Sequence, residues 1–171
     1  MPEAPVSSWL LSNIDLIPRA GRALDVACGR GRHALFLAER GWAVRAIDRD
    51  AHAIDALRSE AARRGLAVQA DVVDLEAGAA DLGREAYELI VVFHYLHRPL
   101  FPALLEALAP GAYLVYETFT LEQARRGRPS NPDFLLRHGE LGERLAPLAI
   151  LRERDGAFEG RDIASVVARK A

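Results

Sequence analysis

Three aspartates and two glycines carry most of the chemistry legible in this sequence. In ALDVACGRGRHALFLAERG a short apolar run enters Asp25, Gly29 and Gly31 follow, and a stretch with helical spacing begins. A glycine turn between strand and helix lets backbone pass close beneath a ligand at the helix N-terminus. Asp48 ends the next apolar run, where a carboxylate can accept hydrogen bonds from both hydroxyls of a ribose. Asp71 ends the third, where a carboxylate can reach an adenine amino group. Each acid alone reads equally well as a turn or cap residue. Three at successive strand ends read as one ligand site.

A charge conflict points the same way. Arg30, Arg32 and His33 crowd the start of the first of these helices, where the macrodipole is positive and each cation is disfavoured by about 0.3–1 kcal/mol. An anionic ligand group would relieve the conflict, and Arg32 is the preferred partner through a charge-assisted hydrogen bond. The bland reading is that these arginines point into solvent.

These residues need a frame, and the chain supplies it by alternating short apolar runs with helical stretches, the pattern of βαβ units on a parallel sheet. Strands are expected at Ala23 to Ala27, Ala43 to Ile47, Ala67 to Ala70, Tyr87 to Phe93 and Ala112 to Tyr116. Helices are expected over Gly31 to Arg40, stopped by Gly41, and Ala51 to Arg64, stopped by Gly65. Another carries the stripe Phe101, Leu104, Leu105 and Leu108, with Pro110 and Gly111 as its stop. Tyr87 to Phe93 is almost continuously apolar and belongs mid-sheet. Before the first strand, Ser7 or Ser8 can cap a short helix with Leu10, Ile14 and Ile17 on one face.

The rest of the chain changes character. Thr118 to Pro132 is rich in Arg, Gly and Pro and reads as a long loop, a candidate lid. A helical patch follows around Glu140 to Leu145. The runs Leu148 to Arg152 and Ile163 to Arg169 suggest an antiparallel hairpin at the sheet edge, turning in a region that includes Asp155-Gly156. The expected organisation is one domain over residues 1–171, with an N-terminal helix in 1–20, a cofactor-binding core in 21–117, and a lid loop and hairpin in 118–171.

Composition narrows the function classes. At 171 residues, with 50% hydrophobic and 27% charged, the chain has ordinary globular composition. A separate substrate domain has little room. The formal charge of −2 argues against a surface built to neutralise nucleic-acid phosphates. Arg125, Arg126 and Arg128 form a local cluster, most simply a solvated surface. The apolar runs are too short to span a bilayer and no secretory signal is evident, so a cytoplasmic protein, monomeric or homodimeric, is expected. Cys28 stands alone and can form neither an intramolecular disulfide nor a cysteine metal cluster, and no metal is expected.

Taken as a set, ALDVACGRG, VRAID, QADVVDL and ALAPGAYLVYET resemble the class I S-adenosylmethionine-dependent methyltransferases. The endings FLLRHGEL and VVARK extend the similarity to the small bacterial tellurite-resistance (TehB-like) methyltransferases. The resemblance implies a doubly wound, Rossmann-like α/β fold with a seven-stranded, mainly parallel sheet, a C-terminal antiparallel hairpin and helices on both faces. It implies S-adenosylmethionine as cofactor, held at the methionine end by Asp25, Gly29, Gly31 and Arg32, at the ribose by Asp48, and at the adenine by Asp71 and the Val72 backbone. Ala27, Arg49 and Phe93 complete the implied cofactor set. Ala27 stands where the family's usual first glycine would be.

In such a fold the turn after the fourth strand, VFHYLHRPLF, faces the methyl group. His94, Tyr95, His97 and Arg98 are the acceptor-side candidates, with His94 or His97 able to take a proton and Arg98 able to bind an oxyanion. Their structural readings are a helix cap for His97 and a core position for Tyr95. Glu117 could face the same cleft. A small-molecule acceptor is expected, a soft chalcogen oxyanion or a thiol, for which positioning matters more than a base. Asn131-Pro132-Asp133-Phe134 faintly resembles the signature of amino-group DNA methyltransferases, but lies too late in the chain to carry weight.

Three other readings compete. Gly29-x-Gly31-x-x-Ala34 also fits a nicotinamide oxidoreductase, although Asp25 would repel a pyrophosphate. A non-catalytic S-adenosylmethionine-binding module would carry the same acids. An RNA methyltransferase is disfavoured by the net charge.

Overall fold

The computed structural model describes residues 4–171; the first three residues of the expected 1–20 segment lie outside the described residues. Seven strands form one sheet in the order β3-β2-β1-β4-β5-β7-β6. They are β1 (Gly21–Val26), β2 (Trp42–Asp48), β3 (Val68–Val72), β4 (Tyr87–Phe93), β5 (Leu108–Phe119), β6 (Ala149–Phe158) and β7 (Arg161–Arg169). The first five are parallel, and β7 runs antiparallel to both β5 and β6. The expected doubly wound fold with its C-terminal hairpin is the observed one.

Helices cover both faces. On one, α1 (Ser8–Asn13), α2 (Arg32–Glu39) and α3 (Ala51–Arg64) bury Leu10, Leu37, Ile54 and Leu57 against Ala23, Val44, Leu89 and Val91. On the other, α4 (Phe101–Ala107) and α5 (Glu140–Arg144) bury Leu104 and Leu141 against Leu24, Ile47, Ile90 and Val92. Successive residues of β4 thus feed opposite cores, the reason its sequence shows no polar alternation.

Local chemistry explains the boundaries. Ser7, rather than Ser8, caps α1, its Oγ accepting the Trp9 amide at 3.1 Å. Asp50 Oδ1 caps α3 by accepting from His52 at 2.9 Å, and Gly65, in the left-handed region, ends that helix. The stop expected at Pro110 and Gly111 is instead a break within β5. Tyr87 pairs with Leu108 and Leu89 with Tyr113, so the intervening residues bulge and pairing resumes.

The hairpin turns at Glu159-Gly160, not at Asp155-Gly156. Both turn residues have positive φ, 52° and 77°, as a two-residue turn that follows the strand twist requires. Gly156 lies within β6, opposite Ile163. The segment expected as a lid loop is likewise more structured, with 3-10 turns at Leu121–Arg125 and Pro132–Phe134. Gln123 pins it: buried, its Oε1 accepts the Asp162 amide at 2.9 Å while its Nε2 donates to the Arg128 carbonyl at 3.0 Å.

Candidate active site

The site is assembled at the carboxyl ends of the parallel strands, where the loops of a doubly wound sheet diverge. Gly29 has φ 56° and an open space where a side chain would start, and its amide donates to Asp48 Oδ2 at 2.8 Å. The other oxygen of Asp48 accepts the Asp50 amide at 2.9 Å. One carboxylate thus fixes the glycine loop and the start of α3 together. Gly31 is a glycine for another reason: a Cβ there would stand 2.4 Å from Leu57 of α3. Close helix packing demands it.

Asp25 is placed differently from its expected contact with ligand. It is 1% exposed and accepts the Ala34 amide at 3.0 Å, so it caps α2, whose N-cap Gly31 has no side chain to do so. Burial raises its carboxyl to about 7, against the lowering pull of that amide and of Arg32. Arg32 donates to the Pro5 carbonyl at 2.8 Å, tying the N-terminal segment across the start of α2. His33 is buried there, stacked on Phe93 at 4.1 Å and accepting the Ser7 amide at Nε2. Burial and Arg32 hold its imidazole down to about 3, so it is neutral and its ring proton sits on Nδ1.

A cleft of about 270 Å³ opens between these loops. At one end Ala27, Asp48, Arg49 and Val73 line it; at the other stand His94, Tyr95, Thr118 and Phe119. Asp71 lies outside, its Oδ2 shared between Arg45 Nε and Gln69 Nε2, both at 3.1 Å. Val72 is 49% exposed beside it. The wall that β3 contributes is instead the loop after it, Val73, Asp74 and Leu75, anchored by the Val73 amide on the Asp48 carbonyl at 2.9 Å.

Of the four acceptor-side candidates, His94 and Tyr95 line the cleft, and His97 and Arg98 do not. His94 sits at φ 56°, an uncommon conformation for a residue with a side chain, held by its amide donating to the Glu117 carbonyl at 2.8 Å. Its ring tilts against Phe119 at 4.8 Å, and Nε2 meets Arg161 Nη1 at 3.3 Å. Burial, then Arg32 and Arg161, push its imidazole down to about 4. Tyr95 reaches Glu76 through its hydroxyl, which burial raises.

His97 occupies the cap position of the short Arg98–Leu100 turn without a side-chain hydrogen bond. Arg98 spends its donors inside the protein, with Nε on Glu140 at 2.7 Å and Nη1 and Nη2 on the Asp133 and Leu135 carbonyls at 2.9 Å. It is a clamp between α5 and the segment before it, with four of its five N–H donors engaged, and it lies outside the cleft where the expected oxyanion role would be played.

Glu117 does not face the cleft. It is 2% exposed and accepts from Ser165 at 2.6 Å, Arg154 at 3.1 Å and Ser7 at 3.3 Å, joining β5, the hairpin and the cap of α1 beneath His94. Sequence reading missed Phe119, Pro129, Phe134 and Arg161. The first stands beyond the strand end expected at Tyr116, and Phe134 belongs to the motif set aside as too late in the chain. Arg161 lies just past a turn placed four residues early. Arg125 and Arg126 are ion-paired, with Glu122 and Asp162 respectively.

Residues 23–111 match the family model described as a methyltransferase domain, a span that holds the glycine loop, Asp48 and His94. The chain belongs to this methyltransferase family, whose cofactor is S-adenosylmethionine. That decides against the nicotinamide reading of the glycine pattern. Hemagglutinin 1 of Eikenella corrodens is 35% identical over 99 residues, a match covering 54% of this chain and 32% of that protein. The chain thus spans about a third of that curated relative.

Among solved structures, TehB from Haemophilus influenzae superposes with TM-score 0.82 at 20% identity, over 97% of this chain and 63% of that one. A TehB-like S-adenosylmethionine-dependent methyltransferase from Corynebacterium glutamicum gives TM-score 0.70 at 19% identity, over 95% and 88%. The methyltransferase fold is common to all three. No helix among the described residues is long and apolar enough to cross a membrane.

Proposed function

We propose that this methyltransferase moves the methyl group of S-adenosylmethionine to a small acceptor that enters between the loops after β4 and β5. One observation carries the reading: a single cleft joins Asp48 and the glycine-loop residue Ala27 at one end to His94, Thr118 and Phe119 at the other. A cofactor end and an acceptor end therefore share one space.

The residues present fit the cofactor. Asp48 lines the cleft, and each of its oxygens, engaged by one backbone amide, retains a lone pair for a ribose hydroxyl. Ala27 and Arg49 flank it, and Val73 and Leu75 offer an apolar wall for a purine. In this reading Asp25, Gly29, Gly31 and Arg32 shape the methionine end from behind the loop, Phe93 supports it through His33, and Asp71 and Val72 close the adenine end from outside the cleft. The bound cofactor supplies an electrophilic methyl on a sulfonium.

Everything else is positioning. Asp48 orients the cofactor, and Tyr95 and Phe119 exclude water. His94, held neutral at physiological pH, is a hydrogen-bonding wall rather than a resting acid. Acceptors that need no strong base suit such a site, which favours a soft chalcogen oxyanion or a thiol, in keeping with the resemblance to the tellurite-resistance methyltransferases. Calorimetric titration with S-adenosylhomocysteine, with a nicotinamide dinucleotide as control, tests the reading. Micromolar binding of the first alone supports it, and no binding to a folded sample overturns it.

A further inference from the structure

The acceptor end of the cleft is more apolar than a small inorganic anion requires. Phe119 lines it at the end of β5, together with Pro129 and Phe134 from the segment after β5. Phe134 remains 50% exposed, although Leu135 and Leu136 beside it are fully buried and anchor the turn. Asn131 Oδ1 caps that turn by accepting the Asp133 amide at 3.0 Å. A firmly mounted aromatic ring at a cleft mouth, left unburied by its own fold, is surface available to a ligand.

Behind this apolar surface, His94 is backed by the charge of Arg161 and is not free to act as a base. His94 Nε2 is occupied by Arg161 Nη1 at 3.3 Å. Glu117, the carboxylate nearest His94 at 4.0 Å, is already engaged by Arg154 and two serines. An alcohol acceptor would need its proton removed as the methyl moves, and neither His94 nor Glu117 is free to remove it. The carboxylates of Asp74 and Glu76 also line the cleft, but they come from the loop after β3, and Glu76 already accepts the Tyr95 hydroxyl at 3.3 Å. A hydrated oxyanion would lose water against Phe119, Pro129 and Phe134 without recompense. A thiol meets both conditions, because it is many orders of magnitude more acidic than an alcohol, a nearby cation lowers its pKa further, and its anion is soft and weakly hydrated.

We propose that the acceptor is a thiol with an apolar, aromatic-sized body, bound as its thiolate. The body lies on Phe119, Pro129 and Phe134, and the sulfur is stabilised by the charge of Arg161, which acts through His94. The thiol proton leaves to water. The thiolate sulfur then bonds the methyl carbon as the carbon–sulfonium bond breaks, the bonding pair staying on the departing sulfur, to give a methyl thioether and S-adenosylhomocysteine. This narrows the acceptor of the methyltransferase reading and rests on it.

The test uses the full chain with S-adenosylmethionine and three acceptors: phenylmethanethiol, 2-mercaptoethanol, which is a thiol of similar acidity without the ring, and selenite. Release of S-adenosylhomocysteine is one readout. Calorimetric binding of the product benzyl methyl sulfide to the S-adenosylhomocysteine complex is the second, independent of turnover. Phenylmethanethiol should exceed 2-mercaptoethanol by about tenfold in kcat/KM, the scale of one buried aromatic face.

Phe134→Ala should erase most of that preference through KM, weaken sulfide binding in parallel, and leave the affinity for S-adenosylhomocysteine unchanged. Arg161→Gln should lower kcat/KM for both thiols, with Arg161→Lys restoring most of it. Selenite turned over better than either thiol, or a phenylmethanethiol rate that Phe134→Ala does not change, overturns the thiol proposal while S-adenosylhomocysteine still binds. Failure of S-adenosylhomocysteine to bind overturns the methyltransferase reading itself, and the thiol proposal with it.

Discussion

A Cβ added to Gly31 would stand 2.4 Å from Leu57 Cδ1, so the first turn of α2 and the middle of α3 meet at a spot with room for no side chain. Gly31 also has φ 79°. Gly31→Ala should therefore destabilise the fold by about 2–4 kcal/mol, combining overpacking with backbone strain. In the double variant Gly31→Ala/Leu57→Ala the clash is gone but the strain stays, so the two changes should cost less together than their sum. Denaturant melts of the four proteins measure the coupling, and strict additivity would place the demand for glycine elsewhere.

Asp48 should matter to binding more than to folding. Asp48→Ala frees the Gly29 amide and removes the carboxylate from the cleft, and should weaken S-adenosylhomocysteine by about 1–2 kcal/mol. Titration calorimetry reads this directly. An unchanged affinity would remove Asp48 from the ribose role.

The buried carboxyl of Asp25 gives stability a pH dependence of known sign. Its native value is raised to about 7, mainly by burial. The native state thus keeps a proton that the unfolded chain gives up near pH 4. Its contribution is full below that point and is lost as pH rises to about 7. Asp25→Asn, which can still accept the Ala34 amide, should gain on the parent by up to about 4 kcal/mol across that window, at roughly 1.4 kcal/mol per unit. The neutral histidines His33 and His94 act in the opposite direction, losing stability in acid, but cancel in the comparison. Urea midpoints at pH 4, 5.5 and 7.5 check it; parallel curves for parent and variant would contradict it.

Arg98 separates a clamp from an acceptor ligand. Its loss would leave the carbonyls of Asp133 and Leu135 short of donors and Glu140 with one fewer arginine. Arg98→Ala should cost about 1–3 kcal/mol of stability, the scale of hydrogen bonds to charged groups, and leave S-adenosylhomocysteine affinity unaltered. Thermal melts and calorimetry together decide, and full stability with impaired turnover would restore the oxyanion role.

Much of the scaffold was legible because its signals are local. The helix α3 spans Ala51–Arg64 and stops at Gly65 as expected, and the apolar run of β4 is placed at both ends. The readings that moved depend on partners distant in the chain. Pro110 and Gly111 carry the signature of a helix stop, yet Leu108 pairs with Tyr87 before them and Tyr113 with Leu89 after them, so β5 continues through. Asp155-Gly156 is a stronger turn signal than Glu159-Gly160, but register against β7 chose the latter. Within the site, Asp25 and Arg98 were read as ligand contacts because nothing local shows that Ala34 and Glu140 claim them. Phe134 and Arg161 were invisible for the converse reason: only the folded hairpin and its neighbouring segment bring them to His94 and the cleft.

The strand order gives biosynthesis a timetable. β7 is made last of the seven strands yet lies inside the sheet, between β5 and β6. While the ribosome adds the segment from β5 to the end of β7, a nascent chain that had already paired its five parallel strands would leave open amides and carbonyls along β5. At about 5–20 residues per second that interval lasts on the order of several seconds. During it the half-built sheet is a template for pairing with any other extended chain. Arrival of the β6–β7 hairpin covers β5, moves the open edge to β6, whose exposed Arg152, Glu153 and Asp155 discourage further pairing, and in the same step delivers Arg161 to His94.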